Sequence, residues 1–188
     1  ILGTHKTGGV QVPINKDEKG ERLAYVINYS EMQALVIDMS GLPLIEEIAD
    51  KLTDLKIIYI ASDSNEVPNQ IGKIKVESFS NLYNSSNKNP NIEITVKDQE
   101  RCMFTSGTTG MPKGVVREHG GVVMTVRSYL QYQGIRSEDV LMSVLSLGHA
   151  NAQAMCLFTS IGAGATAVFF PKFSASNFFK WANDCGAT

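Results

Sequence analysis

Ten consecutive residues, Thr105-Ser106-Gly107-Thr108-Thr109-Gly110-Met111-Pro112-Lys113-Gly114, hold three glycines, four hydroxyls and one lysine. Those are the groups a phosphate cradle needs. Glycines let backbone N–H groups turn toward an anion at φ values other residues avoid, and hydroxyls and a lysine ammonium add donors and a point charge. Composition alone also allows a mobile turn between two strands. The Walker pattern G-x-x-x-x-G-K-[ST], which leads from a strand into a helix, is not met. Gly107 and Gly110 are too close, Pro112 precedes Lys113 and Gly114 follows it. Arg101-Cys102-Met103-Phe104 reads as a short buried strand before the loop, and Val115-Val116-Arg117 as another after it. Pro112 fixes φ beside the lysine.

A second polar constellation is Leu145-Ser146-Leu147-Gly148-His149-Ala150-Asn151-Ala152-Gln153, between an expected strand and an expected helix. His149 there is either a satisfied structural histidine or a pocket residue. Asn151 and Gln153 can cap the helix or reach a substrate. His119 either supports the glycine loop or begins the next helix, and the sequence names no partner for His5. Glu46 and Glu47, like Asp17 and Glu18, are adjacent and point in different directions on a helix, so they are no acid/base pair. Cys102, Cys156 and Cys185 are far apart and lack C-x-x-C spacing, which implies core thiols in a reduced compartment, with no metal site expected.

The string Met103 to Gly114 resembles, without a gap, the signature loop of the adenylate-forming (AMP-binding) superfamily of acyl-CoA synthetases, peptide-synthetase adenylation domains and luciferases. Gly8-Gly9-Val10-Gln11-Val12-Pro13-Ile14-Asn15, followed by Leu23 to Ile27 and Ala34 to Asp38, is similar to an earlier segment of that superfamily. Leu145 to Gln153 resembles the segment whose histidine or aromatic residue borders the acyl pocket, although Gly148 stands where a larger residue is usual. Around His149 and Gly162-Ala163-Gly164-Ala165-Thr166 the pattern is most like the crotonobetaine/carnitine type of acyl-CoA ligase. The resemblance implies that Thr105, Ser106, Gly107, Thr108, Thr109, Gly110 and Lys113 bind ATP, and that His149, Asn151 and Gln153 belong to the substrate pocket. It further implies a parent enzyme that uses ATP and Mg2+ to activate a carboxylic acid as an acyl-adenylate and passes the acyl group to coenzyme A. The superfamily's adenine and ribose contacts, magnesium-binding glutamate and catalytic lysine come from other segments, and no aromatic-Gly-x-Thr-Glu motif occurs here. The chain therefore reads as a fragment of the large N-terminal domain, inactive alone, with no catalytic or metal residue assigned. A non-catalytic nucleotide-binding module is the alternative.

These residues need elements to hold them. With 188 residues, 43% hydrophobic and 19% charged, the chain can bury a full core. Seventeen basic against 19 acidic residues give a formal charge of -2, with no basic footprint for nucleic acid. No apolar run approaches the ~18 residues of a membrane span, and no leader pattern opens the chain, which points to the cytoplasm. Leu23, Val26 and Ile27 sit at helical spacing before an apolar strand at Ala34–Asp38. Pro43 opens a helix through Ile48 and Leu52, and Lys56–Ala61 is β-branched. From Ser62 to Asn91 the pattern loosens, and its most polar run, Asn84 to Asn91, reads as a surface loop. Alternation resumes with a helix over Gly120–Gln133 ended by Gly134, a strand over Val140–Leu145, a helix over Asn151–Ile161 and a strand over Ala165–Phe170. A last helix, capped by Ser174 or Ser176, carries Phe178, Phe179 and Trp181. The expected fold is layered α/β with a largely parallel sheet. Residues 1–80 form a first α/β unit, 81–100 a connector, and 101–188 the segment of the phosphate loop and acyl pocket.

Overall fold

The computed structural model describes residues 1–62, 67–105 and 110–188. They form two compact units, one of residues 16–91 with 104–114, the other of residues 1–15 with 92–103 and 115–188. A short helix, α1 (Leu2–Lys6), opens the second of these.

In the unit of residues 16–91, α2 (Gly20–Tyr29) buries Leu23, Ala24, Val26 and Ile27, one apolar face at helical spacing. It leads into β1 (Ala34–Asp38). Asp38 ends that strand as a cap: its carboxylate accepts from the backbone N–H of Ser40 at 2.8 Å and of Gly41 at 3.2 Å, starting a single 3-10 turn. The hydrogen bond from the Ser40 side chain, with these backbone donors, holds the Asp38 carboxyl below the usual carboxylate range. Next, α3 (Leu42–Ile48), with Pro43 in its first turn, buries Leu42, Ile45 and Ile48. β2 (Ile57–Ala61) then lies parallel to β1, with Ala34 opposite Ile57 and Asp38 opposite Ala61.

Two further strands follow, β3 (Gln70–Ile71) and β4 (Ile74–Ser78), giving the sheet order β1-β2-β4-β3. β4 is parallel to β2, and β3 is antiparallel to β4. These strands fall inside the stretch from Ser62 on where the sequence pattern loosens, ahead of the polar run Asn84 to Asn91. Ile74, Val76 and Ser78 alternate inward, and Gly72, at φ +56°, opens the two-residue turn between the strands. Ile58 and Ile60 are fully buried at the centre of this core.

β5 (Gln99–Thr105) and β6 (Lys113–Glu118), whose residues 99–103 and 115–118 belong to the other unit, form a two-stranded sheet. A parallel bridge ties Gln11 to Arg101: Gln11 N–H donates to the Glu100 carbonyl at 3.1 Å, and Cys102 N–H to the Gln11 carbonyl at 2.9 Å. The start of α4 (His119–Gln133) is fixed by Gly120 N–H on the Val96 carbonyl at 2.8 Å and His119 N–H on the Asp98 carbonyl at 3.0 Å. Gly134 ends α4 in the left-handed conformation, φ +67°. β7 (Val140–Ser143) and β8 (Thr166–Phe169) pair in parallel, Val140 opposite Thr166.

The helix expected over Asn151–Ile161 forms, but its body, Ala152–Phe158, is a π-helix that continues as α5 (Thr159–Ala163). Its wider turns leave Thr159 Oγ1 donating to the Ala154 carbonyl, five residues back, at 2.7 Å. The last helix, α6 (Phe178–Cys185), has Asn177 at its N-cap in place of the expected serine. Asn177 Nδ2 donates to Ser174 Oγ at 3.0 Å, so Ser174 braces the capping residue from outside the helix. Trp181 stacks on Phe170 with ring centroids 4.6 Å apart, while Phe179 is exposed. The architecture is mixed α/β with largely parallel pairing.

Candidate nucleotide and acyl site

Of the glycine-rich loop, Ser106, Gly107, Thr108 and Thr109 lie outside the described residues. Thr105 closes β5 and Lys113 opens β6, and Thr105 Oγ1 donates to the Lys113 carbonyl at 3.4 Å across the base of the loop. Pro112 is buried while Lys113 is exposed, so a rigid residue anchors the end of the loop and turns the neighbouring ammonium outward. At Gly110 a Cβ would meet no heavy atom within 4 Å. Among the described residues no carboxylate forms an ion pair with Lys113. The exposed ammonium of Lys113 at the loop's base suits phosphate oxygens. No cluster of His, Cys, Asp or Glu able to hold a metal ion occurs among the described residues.

The second constellation is an exposed turn on a buried support. Leu145 N–H donates to Ser143 Oγ at 3.2 Å, Gly148 N–H to Ser146 Oγ at 3.1 Å, and His149 N–H to the Ser146 carbonyl at 2.9 Å. His149 and Asn151 are exposed, and Gln153 is 0% exposed. Gln153 Oε1 accepts from Gln11 Nε2 at 2.6 Å and from Arg101 Nη1 at 2.7 Å, and its Nε2 donates to the Leu147 carbonyl at 2.6 Å.

Gln153 belongs to a buried polar cluster that sequence reasoning did not assemble. Glu100 is 1% exposed and Arg101 0%. Glu100 lies 3.3 Å from Arg101 Nε and 3.0 Å from His5 Nε2. These contacts are short but off the hydrogen-bonding line: His5 Nε2, Glu100 Oε2, Arg101 Nε and Nη2, and His119 Nε2 have no hydrogen-bond partner among the described residues. Between Glu100 and Arg101 the attraction is one of charge, while Gln11 and Gln153 supply the cluster's hydrogen bonds. Burial pulls the Arg101 guanidinium below its ordinary value against the opposing pull of Glu100. The His5 ring stacks on Phe158 at 5.9 Å and meets His119 edge-on at 5.5 Å. Two adjacent charges, Glu100-Arg101, at the head of an otherwise apolar strand were the available sequence signal. The cysteines are free; burial pushes the Cys102 and Cys156 thiols up, away from reactive thiolate.

The family profile described as AMP-binding enzyme matches residues 1–187. The crotonobetaine/carnitine–CoA ligase of Salmonella enteritidis is 30% identical over 190 residues, covering 100% of this chain and 36% of the relative. Long-chain fatty acid transport protein 5 of Mus musculus is 30% identical over 194 residues, covering 100% of this chain and 27% of the relative. Among solved structures, the anthranilate CoA ligase AuaEII in complex with anthranoyl-AMP superposes with a TM-score of 0.87 at 26% identity, over 97% of this chain and 35% of that one. ATP-bound MatB from Rhodopseudomonas palustris shares the fold, with a TM-score of 0.78 at 22% identity over 98% of this chain and 34% of that one. The chain thus spans about a third of the length of these proteins. No helix among the described residues is long and apolar enough to cross a membrane. With a matched profile from end to end and CoA ligases among its relatives, the chain belongs to the AMP-binding enzyme family of adenylate-forming proteins.

Proposed function

We propose that the full-length protein carrying this chain is a cytoplasmic acid–thiol ligase. It joins a carboxylic acid to ATP as an acyl-adenylate with loss of pyrophosphate, and then passes the acyl group to coenzyme A. The observation that carries this reading is the loop from Thr105 to Lys113, with two glycines ahead of an exposed lysine and a third just after it, inside a chain of this family. Thr105, Ser106, Gly107, Thr108, Thr109 and Gly110 present hydroxyl and backbone donors to the β and γ phosphates. Lys113 sets a positive charge against them. As the acid's carboxylate attacks the α-phosphate, negative charge grows on the departing pyrophosphate, and preorganised donors in this loop stabilise it. Mg2+ would enter with the nucleotide.

His149 and Asn151, exposed on the turn between β7 and the π-helix, border the acyl group. Gln153 serves that pocket from behind, because each of its polar atoms is already engaged within the chain. The resemblance to relatives named crotonobetaine/carnitine–CoA ligase makes short, betaine-like acids the first substrates to try.

The test is carboxylate-dependent ATP–pyrophosphate exchange by the full-length protein over short, betaine-like and fatty acids. Lys113→Ala should lower exchange on the order of 10²- to 10³-fold, the loss expected when one transition-state donor is removed. ATP binding without exchange on any acid would instead favour a non-catalytic nucleotide-binding module.

A further inference from the structure

We propose that Gln153, gripped by Arg101 and Gln11, is a positioning residue that clamps the His149 turn through the Leu147 carbonyl. This rests on the reading of His149 and Asn151 as acyl-pocket residues. Three observations carry it. Gln153 is wholly buried, yet its side chain spends nothing on filling space alone: Oε1 takes two donors and Nε2 reaches the main chain of the turn. The turn itself is light, with Leu145, Ser146, His149, Ala150 and Asn151 all exposed. Its remaining bonds are local, from Ser143, Ser146 and the amide of Gln153 to the His149 carbonyl at 3.3 Å. The Gln153 amide group therefore ties the turn to β5 and to the segment of Gln11. Finally, Gln153 lies in the π-helix, whose i to i+5 winding rotates side chains relative to an α-helix. Its own N–H still makes the α-type bond to the His149 carbonyl, and Gln153 is buried among its partners while His149, four residues earlier, is exposed.

The two halves of the amide have separable jobs. The oxygen neutralises buried donors and holds the fold together. The nitrogen holds Leu147, and through it His149. Gln153→Glu keeps an acceptor for Arg101 and Gln11 but replaces the donor that faces the Leu147 carbonyl with a second acceptor, so it releases the turn while keeping the buried anchor. Gln153→Met keeps the shape and loses both.

Both variants should be made in the full-length protein and compared with His149→Ala by acid-dependent ATP–pyrophosphate exchange, and by hydrogen exchange of the peptide covering residues 144–151. Gln153→Glu should raise the KM for the acid about tenfold or more, the scale on which displaced contacts act. It should leave the KM for ATP within about twofold and lower Tm less than Gln153→Met does. Gln153→Met should show the same split with a lowered Tm. In both, amides of residues 144–151 should exchange faster while those of α4 stay unchanged. Equal rises in the two KM values, or unaltered exchange of residues 144–151, would overturn the clamp. If exchange of that peptide quickens but His149→Ala leaves the KM for the acid unmoved, the clamp stands as structure, and it is the acyl-pocket reading, with the functional claim built on it, that falls.

Discussion

Replacing Arg101 with methionine tests whether the buried cluster is a charge pair. Glu100 and Arg101 are 1% and 0% exposed, with 3.3 Å between Glu100 Oε2 and Arg101 Nε. At an effective dielectric near 20, two unit charges at that distance attract by ~5 kcal/mol. Taking each ion out of water costs several kcal/mol, so the pair as a whole is close to neutral against an apolar equivalent. Breaking it is different. Arg101→Met keeps much of the aliphatic stem but loses the guanidinium over the Phe158 ring, leaves Glu100 buried with only His5 at 3.0 Å and a long bond from Gln11 Nε2 at 3.5 Å beside it, and removes one of the two donors to Gln153 Oε1. The expected cost is about 3–5 kcal/mol.

Glu100→Gln combined with Arg101→Met removes both charges together, and should lie within about 1.5 kcal/mol of the original protein, the remainder being the lost Gln153 hydrogen bond. The second substitution should thus recover about 1.5–3.5 kcal/mol of the cost of the first. Native-state hydrogen exchange at the Cys102 amide, which donates to Gln11 across this bridge, reads the local opening free energy without interference from other domains. A cost below about 1 kcal/mol for Arg101→Met, or a double variant as weak as the single, would refute the reasoning: Glu100 would then be finding water on local opening.

Other expectations are local. Gly162→Ala would place a Cβ 2.5 Å from Val126 Cγ1, where α5 packs on α4, and should cost about 1–3 kcal/mol by urea unfolding. Asn28 bridges two main-chain groups, Nδ2 to the Lys51 carbonyl at 2.7 Å and Oδ1 from Thr53 N–H at 3.1 Å, so Asn28→Ala should lose about 1–2 kcal/mol and Asn28→Asp less. Asp139 accepts from Arg136 N–H at 2.7 Å and from Thr188 Oγ1 at 3.0 Å, and these bonds, the backbone one foremost, hold its carboxyl below the usual range. A carboxyl depressed in the folded state stabilises above its unfolded pKa and loses that contribution as pH falls through the folded value. Asp139→Asn should therefore lower Tm at pH 7 by an amount that shrinks below about pH 4; a difference that is flat with pH would contradict this.

How legible these features were depended on how far apart in sequence their parts lie. Gly134 stands at the end of an apolar helical face, so the left-handed stop of α4 could be read from neighbours alone. β4 was hidden because its outward positions, Lys75 and Glu77, dilute the apolar signal of Ile74 and Val76 amid a polar stretch, although Ile71-Gly72-Lys73-Ile74 carried the turn. The π winding of Ala152–Phe158 was not legible at all, since apolar periodicity over seven residues does not separate it from an α-helix.

The buried cluster marks the limit most clearly. Its members, His5, Gln11, Glu100, Arg101, His119 and Gln153, come from five separate stretches, and nothing local distinguishes Gln153 from an exposed helix residue. Its neighbours Ala152, Ala154 and Cys156 supply the reason it is inside: small and apolar on either side, they bury that stretch of helix whatever its polar member does. A glutamine carried into a core on such a stretch is tolerated only when both ends of its amide find partners, because an unmet buried donor or acceptor costs about 1–3 kcal/mol. The partners it finds are a guanidinium at the head of β5 and a carbonyl in the His149 turn. The physical demand of burial and the placement of the candidate acyl-pocket turn are therefore met by the same three hydrogen bonds. A substitution that satisfies burial without restoring the Leu147 bond is thus the informative one.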